Sequence, residues 1–476
     1  MSMGKREREQ QQELFVMHDQ LPRSPGHVFY RKLNEVLREA NFDARVEALC
    51  EPYYSKTGRP SVPPGVYFRM LLVGYFEGIN SQRGIAWRCS DSLSLRDFLG
   101  MAATVESPDH SSLSYIRNRL PLEVHQQVFL EILALVQRKK LLQGTLVAVD
   151  STLLEANAAM KSIVRKDTGE DWNAYLARLM TEQGLVAQDD PPPSREELRK
   201  FDKSRENKRV SNEEWQSSTD PDSRIARMKD GATHLAYKAE HVVDLHTGVL
   251  LAAEIYPATF HDTATLEDSL HQAQINQQEA GSCQQIKDAV ADAGYHANET
   301  LTALREHTPY RSYIPEPKRK HKSVWTDKPP EQKQAVYANR RRTRGARGRQ
   351  LQRLRSERVE RTFAHMCETG GARRTWLIGI DKLRKRYLMS AVAHNLGVMM
   401  RSLFKMGTPR GLQQFKTDLE GLVASLYLAY LAVGCWKKLP AALVRSSTIT
   451  CPLLVQPSCP RPIAKCGQNK SCSTGC

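Results

Sequence analysis

The sequence predicts a mixed α/β protein, with a central sheet flanked by helices and an all-α region ahead of it. Three observations carry this. Residues 26–140 keep their apolar positions at helical spacing between proline- and serine-marked breaks. From Thr145 onward, short apolar runs of strand length alternate with helical segments. Two of the later runs are joined by Leu245-His246-Thr247-Gly248, a hairpin signal with glycine at the left-handed position.

In the first region, Val66–Phe76 follows Gly58-Arg59-Pro60-Ser61-Val62-Pro63-Pro64, whose prolines stop one element and start the next. Ser81 is placed to cap a helix over Ser81–Arg88. Ser107-Pro108-Asp109-His110-Ser111-Ser112 breaks the chain and caps a helix from Leu113 to Arg119, which carries Tyr115, Arg117 and Arg119. Short helices on tight turns, one of them presenting tyrosine and arginine, fit a helix-turn-helix-like DNA reader; a plain helical bundle has the same spacing.

In the second region, Thr145–Val149 reads as a buried strand with Asp150 at its end. Residues 160–230 are polar and irregular, with Asp189-Asp190-Pro191-Pro192-Pro193 as a linker-like stretch, and predict a helical or flexible insertion. His234–Asp244 and Val249–Tyr256 alternate as the hairpin strands. Asp262–Ala273 is helical, Ile286–Val290 is a second buried strand closed by Ala291-Asp292-Ala293-Gly294, and Asn298–Glu306 is helical again. Arg311–Ile314 is a last strand, and a helix from about Leu351 to Glu368 ends at Gly370-Gly371. The expected organisation is a disordered N-terminus over 1–25, a helical DNA-binding domain over 26–140 and an α/β domain over 141–410. A C-terminal helix over 411–445 and a disordered Cys-, Pro- and Ser-rich tail over 446–476 follow.

Composition bounds the function. A chain of 476 residues suggests two to four folded units. With 40% hydrophobic and 26% charged residues it is neither mainly disordered nor membrane-embedded. Met1–Glu13 lacks the apolar core of a secretory signal, and the longest apolar run, Leu422–Cys435, is short for a bilayer span. Half of the ten cysteines fall after residue 450 and none forms a CxxC pair, which fits reduced intracellular thiols better than a disulfide framework or a zinc site. The net charge of +16 points to a polyanion. Between Arg311 and Arg361 there are 17 Lys/Arg against 5 Asp/Glu, so the basicity is local, and Arg340–Arg361 alone holds ten arginines. Such runs are often plain solvated surface.

Acids stand at the ends of two strands, Asp150 and Asp292, while Glu357 and Glu360 lie three apart on one face of the closing helix. Three carboxylates converging in this way make a hard-oxygen cage for Mg2+ or Mn2+, and two such ions activate a water or a 3′-hydroxyl against a phosphodiester. Carboxylates repel DNA, so a nuclease built on them needs cations nearby. The arginine cluster leads directly into the candidate third acid.

Three strings together resemble the acidic blocks of DDE-type insertion-sequence transposases: Val149-Asp150-Ser151-Thr152, Ala291-Asp292-Ala293-Gly294-Tyr295 and Val359-Glu360-Arg361-Thr362-Phe363. Gly58-Arg59-Pro60, Ser94-Leu95-Arg96-Asp97-Phe98-Leu99-Gly100 and Ser107-Pro108-Asp109-His110 resemble the helical DNA-binding region of many of them. The resemblance covers roughly residues 25–410. It implies an RNase H-like core, with Asp150, Asp292 and Glu360 as catalytic metal ligands for a pair of Mg2+ or Mn2+ ions. It also implies cut-and-join chemistry on terminal inverted repeats and target DNA, a homo-oligomer in the synaptic complex, and a cytoplasmic, nucleoid-associated protein with no membrane or small-molecule substrate.

One departure concerns the third acid. Relatives carry Tyr, Arg, Glu and Lys at fixed steps; measured from Glu360, the Arg place is Ser356 and the Lys place is Cys367. Measured from Glu357, the Arg place is Arg353, but the Tyr place is Gln350 and the Lys place Ala364. The Val-Glu-Arg-Thr-Phe string favours Glu360, which leaves Glu357 as the alternative third acid or a partner of Arg353 or Arg361. Candidate DNA-binding residues are Arg117, Arg119, Arg340, Arg341, Arg342, Arg344, Arg347 and Arg349. His261-Asp262 follows the hairpin strand, and Asp262 reads first as a helix N-cap and second as a residue near the site. Tyr295 and His296 either pack or touch DNA, and Trp325 and Trp376 either pack or stack a flipped base. A DNA-binding protein of this fold without catalysis, or a nuclease without strand transfer, are the other readings.

Overall fold

The computed structural model describes residues 17, 27–58, 60–102, 104–187, 191–205, 210–318, 325–326 and 328–409. Except for Met17, the N-terminus expected to be disordered lies outside them, as do the helix expected over 411–445 and the tail over 446–476. From His27 the described residues form seven α-helices in succession: α1 (His27–Glu39), α2 (Phe42–Cys50), α3 (Pro64–Glu77), α4 (Gln82–Asp91), α5 (Leu93–Leu99), α6 (His110–Arg119) and α7 (Leu122–Arg138). Their limits follow local chemistry. Pro64 opens α3 and Gly78, at φ 69°, closes it. The Ser81 hydroxyl accepts from the Gly84 amide at 3.0 Å, as expected of the cap of α4. α6 starts three residues before the expected Leu113, because Asp109, not a serine, is the cap and accepts from the Ser111 amide.

The α/β region contains β1 (Leu146–Glu155), β2 (Ile163–Arg165), α8 (Trp172–Glu182), α9 (Arg195–Ser204), β3 (Trp215–Ser217), β4 (Arg224–Arg227), β5 (Thr233–Asp244) and β6 (Leu250–Pro257). These are followed by α10 (Asp262–Glu279), β7 (Asp288–Val290), α11 (Asn298–His307), β8 (Arg311–Tyr313), α12 (Pro330–Arg344), α13 (Ala346–Phe363) and α14 (Ile380–Phe404). The sheet order is β4-β5-β1-β7-β8, with β6 also on β5. β1, β5 and β6 form an antiparallel meander, while β7 and β8 add in parallel beside β1. Antiparallel strands first, parallel strands on the far side of β1 and helices on both faces make this an RNase H-like architecture.

The insertion is built rather than loose. β2 and β3 pair, and Leu176, Met180, Leu198 and Phe201 of α8 and α9 form a small apolar cluster of their own. The arginine-rich stretch folds as two helices meeting at Gly345. Gly348 is required there, since a Cβ would lie 2.2 Å from the Arg342 carbonyl oxygen. The closing helix expected to run to Glu368 ends at Phe363 and gives way to a π-helical turn over Ala364–Thr369. One continuous apolar core runs from Phe29 of α1 to Met400 of α14.

Candidate active site

β1 is longer than its apolar run because it pairs with β5 along its length, from Val147 opposite Asp244 to Glu155 opposite Ala236. Its pairing with β7 stops at Ala148 opposite Val290. Asp150 therefore lies just past the end of the parallel ladder, and Asp292 just past the end of β7, where the two chains splay. Asp292 caps a short 3-10 turn over Ala293–Tyr295, accepting from the Gly294 amide at 2.8 Å. Asp150 is mostly buried. Burial raises its carboxyl above the usual range, the guanidinium of Arg355 opposes that, and the nearby Asp292 charge adds to it. The two predicted acids are thus brought close enough to act on one another.

The third acid is not brought to them. α13 packs on the sheet: Gln352 bonds the carbonyls of Ala291 and Tyr313, Arg355 reaches β1, and Val359 and Thr362 turn inward. Val359 and Thr362 are buried, and Thr362 meets His241 at 2.8 Å. Glu360 and Glu357 sit on the exposed side of that helix, and Glu357 pairs with Arg361 at 3.0 Å. The residue of α13 that reaches Asp150 is Arg355, whose Nη1 donates to Oδ2 at 2.6 Å. Among the described residues no three His, Cys, Asp or Glu side chains form a group able to hold a metal ion. The donor chemistry of Asp150 and Asp292 suits a hard divalent cation, but α13 brings neither Glu357 nor Glu360 to them, so the fit of the predicted set stops at the pair.

On the other face of the sheet, Asp262 takes a place that the sequence reading ranked second. His261, not Asp262, occupies the cap position of α10 and makes no capping bond. The Asp262 carboxylate instead accepts from Ser151 Oγ and Lys238 Nζ, both at 2.8 Å. A Cβ on Gly294 would meet Asp262 Oδ2 at 2.9 Å and Asp292 Oδ1 at 3.1 Å, so both carboxylates converge on the space that glycine leaves open. Beneath them Lys238 and Glu240, two apart on β5 and both buried, pair at 3.0 Å. Glu240 also accepts from Thr265, Ser269 and Tyr295. Tyr295 is therefore a packed residue that bonds Glu240, not a DNA contact, and His296 is buried as well.

The arginines divide. Arg340 pairs with Glu316, Arg342 is half-buried on Ser312, and Arg347 joins Arg311 on Asp288. These three hold α12 and α13 to the end of the sheet. Arg341, Arg344, Arg347 and Arg349 are exposed, although Arg347 keeps its pair. Arg344, Arg349 and Arg353 line a concavity of about 450 Å³ with Arg340 and Gln352. Gln352 bonds the carbonyl of Ala291, next to Asp292, so this basic hollow adjoins the acids. Arg119 is exposed over the Tyr54 ring, whereas Arg117 is drawn inward onto Trp376. The stacking role considered for the tryptophans is taken by protein groups: Trp376 has Arg117 and Arg386 on its ring, and Trp325 packs against Tyr337.

Family comparison agrees with this layout. The model of the transposase DDE domain matches residues 143–396, more than half of the chain. The chain belongs to the DDE transposase family. A second model, of a transposase domain (DUF772), matches residues 16–119 of the transposase, which include α1–α6. No curated protein and no solved structure matches the chain. DDE transposases in general use divalent metal ions and act on DNA. No helix among the described residues of this transposase is long and apolar enough to cross a membrane.

Proposed function

We propose that this transposase binds the terminal inverted repeats of an insertion sequence, cuts the strand at each end and joins the freed 3′-hydroxyl to target DNA. The observation that carries the reading is the placement of Asp150 and Asp292 past the ends of two adjacent parallel strands, with a basic hollow beside them. Asp150 and Asp292 would hold a divalent ion of the Mg2+ or Mn2+ type, which would supply charge neutralisation at the phosphodiester. Arg355 fixes the Asp150 carboxylate, Gly294 leaves room between Asp292 and Asp262, and Ser151 and Lys238 orient Asp262. Arg344, Arg349 and Arg353 bind backbone phosphates along the hollow. Glu360 remains the proposed third acid on the strength of its string, with Glu357 as the alternative. Pairing two ends of one element calls for at least two copies of the chain.

Asp150→Asn and Asp292→Asn test this directly. Both should abolish cleavage of a labelled end duplex while end binding is kept. Cleavage by both single variants would reject the assignment. Binding without cleavage by the wild-type chain, with Mg2+ or Mn2+ supplied, would favour a DNA-binding protein of the same fold. Cleavage without joining of pre-cut ends would favour a nuclease.

A further inference from the structure

A second concentration of charge lies away from the acids, where α3, α6 and α14 meet the segment that follows the π-helical turn. Tyr67, Arg117, Gly370, Trp376, Lys385 and Arg386 line a cavity of about 50 Å³ there. The Trp376 indole is the organising group. The Arg117 guanidinium lies 5.2 Å and that of Arg386 5.7 Å from its ring centroid. Lys385 donates to the Arg117 carbonyl at 3.2 Å, and Arg386 Nη2 to the Gly371 carbonyl at 2.9 Å.

Three cations thus share one partly dry space. Among the described residues none of them has a carboxylate within ion-pair distance; Asp381 and Glu123 act on Lys385 only from farther away. Three N–H donors are left over: Arg117 Nε, Arg386 Nη1 and Trp376 Nε1 are buried without an acceptor. Burial lowers the proton affinity of all three cations, that of Arg386 to about 10, and the Arg117 charge adds to this at both others. Converging like charges and orphaned donors are costly unless something negative joins them. The space holds on the order of four water-sized groups, the size of a tetrahedral oxyanion.

We propose that this cavity binds a phosphate-class oxyanion, held by the charges of Arg117, Lys385 and Arg386 and oriented by the Trp376 indole N–H. The occupant is either free phosphate or a phosphate of a DNA backbone. The site does not depend on the cut-and-join reading, since it lies apart from Asp150 and Asp292.

The test is calorimetric titration of inorganic phosphate into the full chain in chloride buffer at constant ionic strength. One saturable site per chain is expected. Arg117→Gln, Arg386→Met and Trp376→Phe should each weaken it at least tenfold, the range of one charge-assisted bond. Circular dichroism checks folding, and Trp376→Phe, which keeps the ring and all three cations, reads the site even where a cation variant fails to fold. For the source, a short duplex is titrated with and without saturating phosphate. Competition that disappears in Arg117→Gln identifies the DNA backbone, and independent binding identifies free phosphate. Absence of a saturable site would overturn the proposal. So would equal affinity in the folded variants, because phosphate would then be held by the exposed arginines of α12 and α13.

Discussion

Replacing Lys238 by methionine isolates the buried network under the site. Lys238 and Glu240 are 3% and 0% exposed, so water does not compensate either charge. Methionine keeps most of the stem and removes the ammonium together with its bonds to Glu240, Asp262 and Thr265. Glu240 retains three hydroxyl donors, Thr265, Ser269 and Tyr295, but loses its nearest cation. Breaking a buried pair in this way costs about 3–5 kcal/mol. The three remaining donors put the expected loss near the lower figure, about 3 kcal/mol. Adding Glu240→Gln removes the stranded charge, so the double variant should recover much of that loss, with a coupling of about 1–3 kcal/mol between the two sites. Urea denaturation of the four chains, followed by circular dichroism, measures both quantities. A loss under about 1 kcal/mol for Lys238→Met, or strictly additive variants, would refute the claim that the pair is a closed unit.

Four further outcomes follow from the geometry. Asp150→Asn and Asp292→Asn should each remove end cleavage and leave end binding within a few-fold of wild type, read by gel shift and strand scission. Gly294→Ala should lower cleavage without unfolding the chain, because its methyl group enters the space shared by Asp262 and Asp292; unchanged cleavage would show that this space is not used. Changing Arg344, Arg349 and Arg353 together to glutamine should flatten the salt dependence of DNA binding by about three phosphate contacts, and an unchanged slope would return the hollow to ordinary solvated surface. His125 and His394 have proton affinities lowered by burial to about 4, and burial also holds that of His241 well below an ordinary histidine's. Their neutral forms belong to the fold. Their contribution is therefore full above the unfolded value near 6.5 and is lost as pH falls below it, by up to a tenfold change in the unfolding equilibrium per histidine per pH unit. Thermal melts from pH 7 to pH 4 should show this as a steady fall in Tm, and a flat profile would contradict it.

Much of the architecture is legible from residue pattern alone. The Ser81 cap, the Gly248 hairpin and the strands carrying Asp150 and Asp292 all depend on local rules that tertiary packing did not override. The site was less legible where a neighbour decides the outcome. Lys238 and Glu240 occupy polar positions of an alternating strand, and nothing in that alternation signals that α10 covers them with Thr265 and Ser269. Asp262 has the sequence signature of a cap and is pulled away by Ser151 and Lys238. Helical periodicity puts Glu357 and Glu360 on one face without saying which way that face points. Packing turns Val359 and Thr362 inward and presents Arg355 to Asp150. The arginine run looked uniform, and only the positions of Glu316, Ser312 and Asp288 divide its members into fasteners and free cations.

The apolar core that continues from α1 to α14 has a consequence for how the gene can be shortened. α14 supplies buried residues from Leu383 to Met400, and its side chains close on the helices at the other end of the chain. A translation product halted before α14 would expose those helices' apolar faces to water. Because α14 completes a core shared with α3 and α7, the N-terminal helices and the sheet should melt together rather than as separable pieces.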